Sequence, residues 1–175
     1  HFGGLRRVTP ISSMFGWDRG LPMDRYYIQQ FLDQNRTSIH GRVMEVGETR
    51  YTTMFGDDRV EQAEVLHAIH GNPKATIVGD LATGEGIPRD AFDCVVLTQV
   101  LLCIWDVPGA IKNAAESLKP GGVLLVTLPG ISQISRYDAD RWGDFWRFTS
   151  QSIERLFAPH FPESHLSIQT YGNVL

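Results

Sequence analysis

Short apolar runs that end at turn-forming residues recur along this chain, and they predict the buried strands of a parallel sheet. The clearest runs are residues 42–47, 75–78, 94–97 and 123–128. Continuous apolar runs of this length are typical of strands that are covered on both faces. We also expect a second strand around 60–64 and a last one at 166–171.

Apolar residues at helical spacing predict three helices, at 23–35, 107–118 and 150–157. The middle helix carries an apolar stripe and is expected to stop at the segment Lys119-Pro120-Gly121-Gly122. Because this helix lies between two predicted strands, the three elements form the crossover unit of a parallel sheet. The pattern therefore predicts an α/β fold with a doubly wound, mostly parallel sheet flanked by helices.

The length of 175 residues, with 42% hydrophobic residues, indicates one domain with one core. Residues 1–22 are rich in glycine and proline, and we expect them to form an irregular N-terminal arm before a domain at 23–175. The chain lacks an initiating Met and ends as an apolar run begins at Asn173. We therefore expect a piece of a longer protein, truncated at the C-terminus.

Charge and cysteine content exclude several classes of function. The net charge of -4 and the absence of a basic run argue against a nucleic-acid partner. Cys94 and Cys103 form no metal-binding motif, and His67 and His70 have no ligand partners at metal spacing, so we predict no metal. No apolar stretch reaches the roughly 20 residues that cross a bilayer, and no signal pattern is present. We expect a cytoplasmic protein without a membrane partner.

Ligands of open parallel sheets bind beyond the carboxyl ends of the strands. Three of the four predicted strand ends in the first part of the sheet carry a carboxylate, which can accept hydrogen bonds from ribose hydroxyls or an adenine amine. This chemistry favours a nucleoside over a bare phosphate. The residues at these ends are Glu45, Val46 and Gly47, then Glu64, then Asp80 and Leu81, and finally Thr98 and Gln99.

Four segments, in this order, resemble the successive motifs of class I S-adenosylmethionine-dependent methyltransferases: residues 43–47, 78–80, 92–97 and 118–124. Residues 144–149 are also similar to a segment of bacterial members that often accompany glycosyltransferases. The resemblance implies a Rossmann-like fold and S-adenosylmethionine as the cofactor. It assigns Glu45, Val46 and Gly47 to the amino-acid end of the cofactor, Glu64 to the ribose, Asp80 and Leu81 to the adenine, and Thr98 and Gln99 to the strand end that faces cofactor and acceptor.

The implied activity is methyl transfer to a small acceptor, such as an oxygen on a sugar or a secondary metabolite. Such a reaction depends mainly on in-line positioning, so no catalytic base is named. Gln99, Asp144 and Arg147 are the acceptor-side candidates that would orient the substrate.

One departure from the family pattern supports an alternative function. The family's first motif is rich in glycine, whereas residues 45–51 retain only Gly47, and side chains at Glu48, Thr49 and Arg50 would crowd the cofactor. The alternative is a catalytically inactive, methyltransferase-like interaction domain in a carbohydrate-assembly protein. Independently of this choice, the sequence leaves open whether the arm covers the cleft or docks on a neighbouring domain or a second copy. A nicotinamide dehydrogenase is disfavoured because no G-x-G-x-x-G follows the first strand.

Overall fold

The computed structural model describes residues 9, 12 and 14–172. Five strands form one sheet in the order β3-β2-β1-β4-β5, and every neighbouring pair is parallel. The strands are β1 (Gly41–Val46), β2 (Val60–His67), β3 (Ile77–Val78), β4 (Phe92–Thr98) and β5 (Leu118–Thr127). The prediction of a doubly wound α/β sheet is confirmed.

Five α-helices accompany the sheet: α1 (Met23–Gln34), α2 (Arg50–Gly56), α3 (Val107–Ser117), α4 (Arg136–Ala139) and α5 (Ser150–Phe157). The sequence predicted α1, α3 and α5, and their positions are confirmed. It did not predict α2 or α4. Asp106 is the N-cap residue of α3, and its carboxylate accepts a hydrogen bond from the Gly109 backbone N–H at 3.0 Å.

Alternate residues of the central strands pack into two hydrophobic cores, one on each face of the sheet. On one face Met44 and Val95 pack in a cluster with α3 and α5 residues, including Ile111. On the other face Val43 and Val96 pack in a cluster with residues of α1 and α2. Each of these five side chains is 0% exposed. Since both faces are covered, the ligand-accessible edge of the sheet is the one formed by the ends of its strands.

Two predicted strand boundaries and one predicted strand need correction. β2 continues to His67, because Val65 and Leu66 remain buried and paired with β1. β5 begins at Leu118, directly after α3, so the predicted stop segment is part of the strand. Residues 166–171 do not form a strand. Their last residue, Tyr171, packs its ring 5.8 Å from that of Tyr27 on α1 instead of joining the sheet.

The described part of the arm contains a short 3-10 turn, Trp17–Arg19. Its Ser12 carbonyl accepts a hydrogen bond from Gln133 Nε2 at 3.2 Å, so the arm contacts the segment that follows β5. The other predicted arm residues, including Arg6 and Arg7, lie outside the described residues, as do 173–175. Within residues 14–172, no helix has the length and apolar character needed to span a membrane.

Candidate functional site

The carboxyl ends of the strands lie side by side at one edge of the sheet. Backbone bonds continue the ladder one residue beyond each strand. Gly47 N donates to Leu66 O at 2.9 Å, Gly79 N donates to His67 O at 3.1 Å, and Gln99 N donates to Thr127 O at 3.0 Å. The residues that leave the sheet at this edge are therefore close neighbours, as the sequence predicted for the end of a parallel sheet.

Glu45 lies near the end of β1 and is 3% exposed. Its carboxylate accepts hydrogen bonds from Thr52 N at 2.8 Å, Thr52 Oγ1 at 2.9 Å and Tyr51 N at 3.1 Å. Burial raises the pKa of Glu45 above its ordinary value, although these hydrogen bonds act in the opposite direction. Because the Thr49 side chain makes no cap bond, Glu45 supplies the acceptor for the first turn of α2.

Gly47 has a left-handed backbone, with φ of 83°, and a Cβ placed there would meet no atom within 4 Å other than those of its two chain neighbours. Two of the three side chains that were expected to crowd this space, Glu48 and Arg50, make contacts elsewhere, and the third, Thr49, is the N-cap residue of α2. Glu48 faces Lys74, with a carboxylate–ammonium distance of 3.3 Å. Arg50 lies over an aromatic ring of the arm, and Tyr51 is buried in the core. The space in front of Gly47 therefore stays open.

Glu64 does not lie at a strand end, and its predicted contact with the ribose needs correction. It is in the interior of β2, opposite Met44, and is 6% exposed. Its Oε1 accepts from Arg42 Nη2 at 2.7 Å and from Gln62 Nε2 at 2.6 Å. Burial acts to raise the pKa of Glu64, but hydrogen bonds from Thr76, Arg42 and Gln62 hold it below its ordinary value. The Glu64 carboxylate therefore stabilises the sheet through these hydrogen bonds.

His67 is the last residue of β2, and it was not among the site residues predicted from the sequence. It follows Gly47 by 20 residues, which matches the spacing of roughly 20 residues known for ribose-contacting positions. The signal was present in the sequence as the apolar pair Val65 and Leu66, which extends the strand beyond Glu64.

The tautomer of His67 follows from one contact. Its Nδ1 lies 2.7 Å from the Ile69 carbonyl oxygen, which can only accept a hydrogen bond, so Nδ1 carries the proton. In the neutral ring Nε2 is then an acceptor. The ring also packs against Trp142 with centroids 5.4 Å apart and an interplanar angle of 87°. The end of β2 thus offers one hydrogen-bond acceptor beside an aromatic surface.

Asp80 and Leu81 lie in the tight turn after β3. Asp80 Oδ1 accepts from Ala82 N at 2.8 Å, and the Asp80 carbonyl accepts from Gly84 N at 2.7 Å. Leu81 is buried, and its carbonyl accepts from Asn113 Nδ2 on α3 at 2.8 Å. The turn is therefore fixed to the body of the protein, with Asp80 held by its backbone and one carboxylate oxygen.

Gln99 follows β4 in a left-handed conformation, with φ of 56°. A non-glycine residue in this region is strained, and such strain clusters at ligand sites. Within the described residues, the Gln99 side-chain amide makes no hydrogen bond. Thr98 and Gln99 also line a groove of about 1960 Å³ that follows the outer side of β5. These two residues therefore border both the strand-end edge and an accessible groove.

Asp144 and Arg147 pair with each other and line the same groove as Gln99, so their role on the acceptor side stays a prediction. The Asp144 side chain is 0% exposed and accepts from Arg147 at 2.5 and 3.0 Å and from Ser135 N at 2.6 Å. Arg147 also donates to the Gln133 carbonyl at 2.8 Å. The hydrogen bond from Arg147 holds the pKa of Asp144 below its ordinary value. Together they stabilise the loop after β5.

The parallel doubly wound sheet, with its strand ends adjacent at one edge, defines a Rossmann-like α/β protein. A family model described as a methyltransferase domain matches residues 16–169. The chain belongs to this methyltransferase family. No curated protein matches the sequence.

Solved structures with the same fold include several methyltransferases. The YcgJ protein from Bacillus subtilis is 13% identical, with a TM-score of 0.58 over 77% of this chain and 68% of that one. N-methyltransferase NodS from Bradyrhizobium japonicum is 17% identical, with a TM-score of 0.55 over 81% and 76%. The [4+2]-cyclase SpnF is 20% identical, with a TM-score of 0.55 over 78% and 56%. These likenesses show the class I methyltransferase fold.

Proposed function

We propose that this protein binds S-adenosylmethionine at the carboxyl edge of its sheet and transfers the methyl group to a small acceptor. The observation that carries this proposal is the space in front of Gly47, where a Cβ would meet no atom within 4 Å beyond its two chain neighbours. The fold supports it as well, since NodS was solved in complex with S-adenosyl-L-homocysteine. Within the glycine-poor motif, Glu48 pairs with Lys74, and Tyr51, at the position of one of the family's glycines, is in the core.

Each strand end would bind a different part of the cofactor. The backbone at Val46 and Gly47 would approach the amino-acid end, with Glu45 acting behind it by fixing the start of α2. His67, in place of Glu64, would accept a hydrogen bond from a ribose hydroxyl through Nε2. The remaining contacts follow the sequence analysis: Asp80 and Leu81 at the adenine, and Thr98 and Gln99 between cofactor and acceptor.

The bound cofactor supplies an electrophilic methyl group on a sulfonium. The chain's own contribution is position, because an in-line approach of the acceptor atom is the main requirement of this transfer. Gln99 borders the groove along β5 and carries an unbonded amide within the described residues, so it is the residue proposed to orient the acceptor. The acceptor itself is proposed to be an oxygen on a sugar or a secondary metabolite.

The glycine-poor first motif favours a second candidate function, a methyltransferase-like interaction domain that has lost the reaction. The fold of SpnF, named as a cyclase, illustrates that this architecture also serves other chemistry. Cofactor binding discriminates between the two candidates, because an inactive interaction domain has no need of the space in front of Gly47.

Calorimetric titration with S-adenosylmethionine and S-adenosylhomocysteine tests the proposal. Gly47→Val would fill the open space and is expected to weaken binding at least about 50-fold, since the side chain and the cofactor would overlap. Gly121→Val is the matched control. Gly121 has almost the same backbone, with φ of 82° and no atom beyond its two chain neighbours within 4 Å of a Cβ, but it lies at the other end of the sheet on β5.

We expect both substitutions to reduce stability to a similar extent, because both force a branched side chain into a left-handed backbone. Only Gly47→Val should reduce binding, with Gly121→Val within about twofold of the parent. Absence of binding by the parent protein at millimolar ligand would contradict the proposal. Equal loss in the two variants would refute the assignment of the cofactor to Gly47.

A further inference from the structure

The loop at residues 130–147 leaves the sheet at β5 and returns to the same place. Its base is closed by a hydrogen bond from Phe148 N to the Pro129 carbonyl at 2.9 Å. Between these points the loop brings Trp142 against His67, at the end of β2. β4 and β1 lie between β5 and β2 in the sheet. The loop therefore spans three strand spacings, about 14 Å, along the edge that carries Gly47 and Gln99.

Internal bonds fix the base of this loop. The buried Asp144 carboxylate joins Ser135 N and the Arg147 guanidinium, which lie on the two limbs of the loop. Phe145 N donates to the Leu102 carbonyl at 2.9 Å, and Trp146 Nε1 donates to the Ile104 carbonyl at 3.0 Å. These bonds hold the returning limb above the end of β4, so the position of the loop over the sheet does not depend on a ligand.

The tip of the loop has a different character. Trp142 N and Gly143 N both donate to the Asp138 carbonyl, at 2.7 and 2.9 Å, in a turn that projects the indole. Trp142 is 40% exposed, and its ring packs against that of His67. A large apolar side chain with this exposure gains from further burial against a ligand.

We propose that the 130–147 loop covers the bound cofactor and that Trp142, seated on His67, forms the wall over the ribose. This inference rests on the proposed function. The nucleoside would lie between the strand ends and the loop, with its ribose beside the paired rings, within reach of the Nε2 acceptor of His67 and next to the indole of Trp142. Release of the ligand then requires the contact between Trp142 and His67 to open.

The test measures the dissociation rate of S-adenosylhomocysteine by stopped-flow displacement. Trp142→Ala is expected to speed dissociation about fivefold to tenfold with little change in the association rate, because an aromatic wall acts mainly on the bound state. Trp142→Phe should restore most of the slow dissociation. Tyr137→Ala is the matched control, since Tyr137 is on the same loop, is 64% exposed and stacks only on Arg141 among the described residues.

A double-mutant cycle tests the contact itself. If Trp142 acts through its position on His67, the combined Trp142→Ala and His67→Ala protein should dissociate more slowly than the product of the two single effects predicts. His70→Ala, an exposed histidine three residues away, controls for loss of an imidazole. Normal binding with a parent-like dissociation rate in Trp142→Ala would overturn this inference alone. Failure of the parent to bind would overturn the proposed function and this inference together.

Discussion

Two buried glutamates on neighbouring strands show how one residue type takes opposite properties from its surroundings. Glu45 projects to the face that carries α2, where it meets backbone and hydroxyl donors but no cation, and burial raises its pKa. Glu64 projects to the other face, where Arg42 and its hydrogen bonds outweigh burial and the pKa is lowered. Both are structural carboxylates, and neither side chain is left free to hold a ribose.

Glu64→Gln is expected to lower the free energy of unfolding by about 1–2 kcal/mol at neutral pH without changing cofactor affinity, because it removes a charged acceptor from Arg42. The folded-state pKa of Glu64 lies below its ordinary value of 4.5. Its contribution is therefore complete above about pH 4.5 and is lost as the pH falls through the folded-state pKa. Urea unfolding of parent and variant from pH 3 to 7 should show a gap that grows with pH.

Glu45→Gln should show the opposite dependence of stability on pH. Because the folded-state pKa of Glu45 lies above 4.5, its contribution is largest in acid and falls as the pH rises through that pKa. The gap between parent and Glu45→Gln should shrink with pH. If the stability gap changed with pH in the same direction for both variants, the opposite pKa shifts inferred for Glu45 and Glu64 would be contradicted. A large loss of cofactor affinity in Glu64→Gln would instead indicate that Glu64 contacts the ligand.

At the scale of elements, the sequence predicted what local patterns determine. Continuous apolar runs predicted β1 and β4 because both faces of these strands are buried, and an apolar stripe predicted α3. Helix α2 was missed because its seven residues give a short pattern and its first turn is satisfied by Glu45, which comes from the preceding strand. Such a partner is not visible in local periodicity.

Some residues at the candidate site were predicted from the sequence, and others were not. Gly47, Asp80 and Gln99 follow strands whose ends were identified to within a residue or two, and the structure brings these strand ends to one edge. His67 was missed because the end of β2 depends on its pairing with β1, not on its own composition. The pairing of Asp144 with Arg147 depends on a loop conformation that spacing alone leaves open.

The 130–147 loop gives a prediction at this scale. Asp144→Asn removes the charge that joins Arg147 to Ser135 N, and it should loosen the loop while the sheet stays intact. Hydrogen exchange of residues 130–147 is expected to accelerate about tenfold, with the melting temperature changed by no more than a few degrees. Asp140→Asn, an exposed carboxylate on the same loop, is the control. Equal exchange in the two variants would contradict this role.

At the scale of the whole molecule, stability is concentrated at the centre of the sheet. β1 and β4 are paired on both sides, and all the β4 residues from Cys94 to Leu97 are 0% exposed. β3 contributes only two paired residues at one border. β5, at the other border, has no strand on its outer side within the described residues, and its outer edge lines the groove. The binding edge thus combines a rigid centre with less protected borders.

This gradient predicts the order of amide exchange in the intact protein. The amides of β1 and β4 should exchange at least about 100-fold more slowly than those of β3, because opening the centre requires global unfolding whereas a border strand opens locally. S-adenosylhomocysteine should then slow exchange at the strand-end segments 47–51, 80–87 and 130–147, which surround the proposed ligand, by more than the general slowing that binding to the folded state imposes on β1 and β4. Mass spectrometry of deuterated peptides measures both effects. Slowing at these segments that is no greater than in the rest of the sheet would contradict a site at this edge, because it would reflect only the stabilisation of the folded state that any ligand produces.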